Sequence, residues 1–103
     1  MKTYTKNQEW IELQDGCATV GITLDAAKEI GEIVYVELPK AGERVQEGQE
    51  AVVLESTKAA VDICSPVSGT IIKVNETLRH NIQILNQSPE QDGWLFQVEL
   101  STT

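Results

Sequence analysis

Basic residues are scarce in this sequence. Eight Lys and Arg stand against sixteen Asp and Glu, a formal net charge of −8 at pH 7. That balance argues against nucleic acid as a partner, because a phosphate backbone demands a basic face. It favours a soluble protein that docks onto basic partner surfaces. Only two cysteines occur, Cys17 and Cys64, with no CxxC pair, which leaves no disulfide framework. Both sit in alternating or apolar runs and read as reduced, half-buried small side chains. The single histidine, His80, lies in the polar stretch "TLRHNIQ", read as an exposed connection. Without a ligand cluster or a paired nucleophile it suggests neither a metal site nor hydrolytic catalysis. No apolar run approaches membrane length, no N-terminal segment reads as a signal peptide, and no glycine-rich phosphate loop is present. The expectation is a cytoplasmic, bacterial-type protein without a membrane partner that does not perform chemistry alone.

What is present is a strand-rich pattern. The chain has 103 residues, 41% of them hydrophobic, which suits one domain spanning 1–103 with a modest core. "QEWIEL" and "CATVGI" alternate around an Asp15-Gly16 hairpin signal. "TLDAAKEIG" reads as the one substantial helix, with Thr23 as N-cap, Asp25 at the positive end and Gly31 as a left-handed cap. "EIVYVEL", "EAVVLES", "KAAVDIC", "TIIKVN" and "WLFQVEL" read as further strands, with turns at 40–42 and 46–48 and a loop at 86–93.

Two features stand out within that pattern. "Gly31-Glu32-Ile33-Val34-Tyr35-Val36" is echoed by "Gly69-Thr70-Ile71-Ile72-Lys73-Val74", and the two copies flank the Lys58 hairpin almost symmetrically. Short strands at turn-punctuated spacing suggest a small sandwich or flattened barrel. Near the centre of that symmetry lies Lys58, at the expected turn between two strands, with small residues Ser56, Ala59 and Ala60 around it. A ligase must reach an ε-amino group, and small neighbours leave room for it. Strands on both sides present the tip in a fixed geometry. Acylation would turn the ammonium into a neutral amide.

At these residues the sequence resembles the lipoyl-carrier proteins, and among them the H protein of the glycine cleavage system. "Glu55-Ser56-Thr57-Lys58-Ala59-Ala60" is similar to the family's lipoylation motif, and "Asp62-Ile63-Cys64-Ser65-Pro66-Val67-Ser68-Gly69" continues it. "Gln8-Glu9-Trp10", "Val20-Gly21-Ile22-Thr23", "Gly31-Glu32-Ile33-Val34", "Val36-Glu37-Leu38-Pro39", "Val74-Asn75-Glu76" and "Gly93-Trp94-Leu95" extend the likeness over nearly the whole chain. Biotin carriers share the fold, but their lysine usually lies between methionines, and here the neighbours are Thr57 and Ala59. The chain departs from the family at Gln8, usually His, at Cys64, usually aromatic, and at Pro89-Glu90-Gln91, commonly Pro-Tyr-Gly.

The resemblance implies a mostly β fold, a lipoyl/biotinyl-type barrel-sandwich hybrid with a short helix and the modified lysine at a hairpin tip. It implies lipoate covalently attached to Lys58, with Glu55, Ser56 and Ala59 at the tip serving ligase recognition. Glu9 and Asp62 match positions that line a cleft for the loaded arm. The implied role is a non-catalytic, monomeric carrier of the aminomethyl group of glycine. Its implied partners are glycine decarboxylase, aminomethyltransferase, dihydrolipoyl dehydrogenase, and a lipoate ligase or lipoyltransferase. Typical members continue into a helical segment beyond the position of Thr103. That difference motivates a second expectation, an H-like lipoyl carrier in lipoate relay or another lipoate-dependent pathway.

Overall fold

Asp15 and Gly16 both lie at positive φ, 52° and 80°. This is the tight turn that an Asp-Gly pair makes between two antiparallel strands. In the computed structural model, which describes residues 2–101, the chain runs β1 (Lys2–Tyr4), β2 (Glu9–Gln14), β3 (Cys17–Ile22), α1 (Leu24–Ile30), β4 (Ile33–Glu37), β5 (Arg44–Val45), β6 (Glu50–Ser56), β7 (Ala60–Cys64), β8 (Gly69–Val74), α2 (Thr77–His80), α3 (Gln83–Gln87) and β9 (Phe96–Leu100). One sheet has six strands in the order β1-β2-β3-β9-β8-β5, and the other has three in the order β4-β6-β7. Every pairing is antiparallel. The inward side chains of both sheets, among them Val20, Ile22, Ile33, Val36, Leu54 and Ile71, form one apolar core. This is the barrel-sandwich architecture expected from the sequence.

Trp10 shows how local chemistry fixes this packing. It stands opposite Gly21 in the β2–β3 register. A Cβ at Gly21 would fall 2.5 Å from the indole, so only glycine lets the ring lie flat there. The indole N–H donates to the Pro89 carbonyl at 3.0 Å, and Lys2 Nζ sits 4.9 Å above the ring centre. α1 begins as expected, with the Thr23 hydroxyl accepting the Ala26 N–H at 3.1 Å. The Glu90 carboxylate accepts the Leu24 N–H at 2.8 Å and the Tyr4 hydroxyl at 2.8 Å. These bonds hold the Glu90 carboxyl below its usual range and push the Tyr4 phenol up. Asn86 closes part of the edge of the smaller sheet. Its amide oxygen accepts the Ile33 N–H at 2.9 Å and its amide nitrogen donates to the Ile33 carbonyl at 2.9 Å.

One strand has no counterpart in the sequence reading, and three expectations need correction. The polar N-terminus forms β1, whose backbone pairs with β2 through Thr3↔Ile11 although no alternation marks it. "TLRHNIQ" is not a plain connection but carries α2 and the start of α3. Leu78 and Leu85 are fully buried there, and Ile82 packs against the core between them, an i, i+4, i+7 spacing in a polar background. The expected loop at 86–93 starts later, since Asn86 and Gln87 finish α3. Gly31 ends α1 at φ 93° and ψ −170°, an extended mirror region that belongs essentially to glycine, and not in a left-handed helical cap. The two echoed strands lie in opposite sheets, β4 in the smaller and β8 in the larger.

Candidate functional site

The hairpin joining β6 and β7 is ordered by Ser56. Its backbone N–H donates to the Ala59 carbonyl at 2.8 Å. Its hydroxyl accepts the N–H groups of Lys58 at 3.0 Å and Ala59 at 3.1 Å. A serine hydroxyl that gathers two amides fixes a turn more firmly than chain entropy would allow alone. The Thr57 N–H donates to the Glu32 carbonyl at 3.0 Å, which ties the tip to the segment after α1. Lys58, Ala59 and Ala60 are exposed on this tip. The Lys58 stem leans on Gly31, where a Cβ would lie 2.8 Å from Lys58 Cε. Gly31 therefore serves two ends: its backbone turns the chain out of α1, and its bare Cα leaves a cradle for the lysine.

Beside the tip a cleft of about 600 Å3 runs between β7, α1 and the turn before β2. Lys58, Ala59, Glu9 and Asp62 all line it, together with Glu29 and apolar Ile30, Val61 and Ile63. Glu55 and Ser56 lie outside it. Glu55 is exposed on β6, opposite Ala60 and Tyr35, and Ser56 is spent inside the turn. Glu29 was missed in the sequence. The signal was there, because Ala26, Glu29 and Ile30 share one helical face.

Glu9 departs from a plain strand-end acid, since it is only 4% exposed. A tight turn aims it. The Thr5 hydroxyl accepts the N–H groups of Asn7 and Glu9, both at 3.2 Å, and so has its own proton left for Glu9 Oε1 at 2.8 Å. Gln8 holds the turn at φ 66° and accepts the Thr23 N–H at 3.0 Å. Burial raises the Glu9 pKa, and the Thr5 bond offsets this only in part. No cation pairs with Glu9, Glu29 or Asp62 among the described residues. Asp62 is exposed on the outer edge of β7. A buried carboxylate without a cation costs stability.

That cost has a pH signature. A carboxyl whose folded pKa is raised binds its proton more tightly in the native state. Its favourable contribution belongs to acid and is lost as pH rises through the window from the unfolded value to the raised one. Glu9→Gln should therefore raise the thermal midpoint at neutral pH, and the gain should vanish as pH falls below the ordinary carboxylate range. Denaturation curves across that range check it, and equal midpoints at every pH would show that the buried charge costs nothing.

Comparison with known proteins bears on the family of the chain. The glycine cleavage H-protein family profile matches residues 2–103. A glycine cleavage system H protein of Thermotoga maritima is 46% identical over 101 residues, covering 98% of this chain and 82% of the relative. One from Alcanivorax borkumensis is 48% identical over 98 residues, covering 95% of this chain and 77% of the relative. The crystal structure of a glycine cleavage system H protein from Mycobacterium marinum superposes with a TM-score of 0.92 at 34% identity, covering 99% of this chain and 85% of that one. The chain belongs to the glycine cleavage H-protein family.

Proposed function

We propose that this chain is the lipoyl-lysine carrier that shuttles the aminomethyl group of glycine between the decarboxylase and the aminomethyltransferase of glycine cleavage. The observation that carries the reading is an exposed lysine on a tied-down hairpin, beside a cleft whose buried carboxylate has no cation. Lipoate fits this site. Lys58 Nζ is the acyl acceptor, Ala59 and Ala60 leave its approach open, and the cradle at Gly31 steadies the stem. Attached there as an amide, lipoate supplies a dithiolane for group transfer and redox exchange.

The chain's own residues do the holding. Ser56 keeps the tip in one shape, and Glu55 offers an acidic mark for the attaching ligase or lipoyltransferase. Glu9 and Asp62 attract a protonated amine, while Ile30, Val61 and Ile63 keep water from it. The chain acts as a cytoplasmic monomer that visits the decarboxylase, the aminomethyltransferase and dihydrolipoyl dehydrogenase in turn. Tethering replaces a free encounter with a high local concentration at each docked partner.

The test is exchange of labelled bicarbonate into glycine with the decarboxylase. Acylated chain should support it and unacylated chain should not. A chain carrying one lipoyl group by intact mass, yet inert in exchange, would overturn the glycine role and favour lipoate relay.

A further inference from the structure

Plain alternation along β4 would point Val34 outward and Tyr35 inward. The register shifts between Ile33 and Tyr35, a bulge that breaks this alternation. Val34 and Tyr35 both end outside, 49% and 52% exposed, while Ile33 and Val36 are buried. They border a groove of about 310 Å3 whose far wall is Leu78, Arg79 and Ile82. Arg79 is engaged by Glu76. The exposed charges that flank Val34 and Tyr35 are acidic: Glu32 before β4, Glu37 at its end, and Glu55 directly opposite Tyr35.

This patch is mechanically continuous with the arm's tip. Tyr35 is the cross-strand neighbour of Glu55, which lies three residues before Lys58, and the Glu32 carbonyl holds the Thr57 amide. We infer that the β4 face is the docking surface for the enzyme that acylates Lys58, and that this enzyme presents an apolar pocket rimmed by lysine or arginine. The inference rests on Lys58 being the acylated residue. It selects the acylating enzyme for a reason of reach. Before the arm exists, Nζ is only a lysine's length from the backbone, so that enzyme must sit against the hairpin and its flank. A partner that receives the finished arm is served from further away. At Ile33 itself a partner is met by side chains, since Asn86 already occupies both backbone groups there.

Unacylated chain, a purified lipoate–protein ligase, lipoate and ATP provide the experiment, with acylation followed by intact mass at varied carrier concentration. Tyr35→Ala should raise KM for the carrier about tenfold, as loss of an aromatic anchor does, with kcat at saturation little changed. Tyr35→Phe should restore most of the affinity. Added salt should raise KM for the unaltered chain, because exposed charges are screened. Leu13→Ala, which removes a side chain 60% exposed on β2, should change nothing. Unchanged KM for folded Tyr35→Ala, or an equal loss in Leu13→Ala, would overturn the docking surface while leaving the carrier reading intact. A dimer in sedimentation that Tyr35→Ala dissolves would also overturn it, by assigning the face to a second copy. Failure of the unaltered chain to acquire any lipoyl group would overturn the carrier reading and this inference together.

Discussion

Lys58→Arg should abolish lipoylation altogether. Expressed with lipoate and a ligase, the unaltered chain should gain the mass of one lipoyl group, and the variant none. The guanidinium stays protonated at any working pH and offers no lone pair to an activated acyl group. The fold should survive, because Lys58 is exposed and its stem touches little besides Gly31. The other lysines are poor substitutes. Lys2 and Lys73 lie over the rings of Trp10 and Trp94, and Lys6, on the turn that the Thr5 hydroxyl orders, is followed by Asn7 and Gln8 and not by small residues. A variant that still gains the mass would move the attachment site elsewhere and dismantle the reading.

The second large effect concerns the loaded arm. Glu9→Gln combined with Asp62→Asn should speed spontaneous breakdown of the aminomethyl-loaded protein by roughly tenfold or more. A charge-assisted bond to an ammonium is worth about 1.5–3 kcal/mol, and each 1.4 kcal/mol is about a factor of ten. The amide replacements keep shape and the bond from Thr5, so the fold and the lipoylation rate should be preserved. Release of ammonia from the loaded form is the measurement. An unchanged rate in the double variant would leave the cleft without a protective role and would favour lipoate relay.

The architecture was largely legible because its signals are local. Asp15-Gly16 fixes a hairpin, Thr23 starts a helix, and the alternation in "CATVGI" places a buried face. Lys58 was legible for the same reason, as a lone lysine among small residues at a turn. The shape of the cleft was not, because it joins residues far apart in the chain. Nothing near Glu9 says that α1 will lie against it, or that the Thr5 hydroxyl will spend its acceptor capacity on two amides and so offer its proton to the carboxylate. The bulge at Val34-Tyr35 was equally hidden. The stretch reads as a regular strand, and only its register with β6 turns both side chains outward. The helices at Thr77–His80 and Gln83–Gln87 were masked by polar residues that dilute three apolar anchors.

The amide of Asn86 has a consequence for life in a crowded compartment. An exposed strand edge is a template on which an identical chain can add a strand, and from which aggregates grow. At Ile33 the template is occupied by a side chain from the same molecule. Replacing Asn86 with Asp would keep the acceptor for the Ile33 N–H but set a negative oxygen against the Ile33 carbonyl. The side-chain amide thus blocks strand addition at the start of β4, the strand that also bears exposed Val34 and Tyr35.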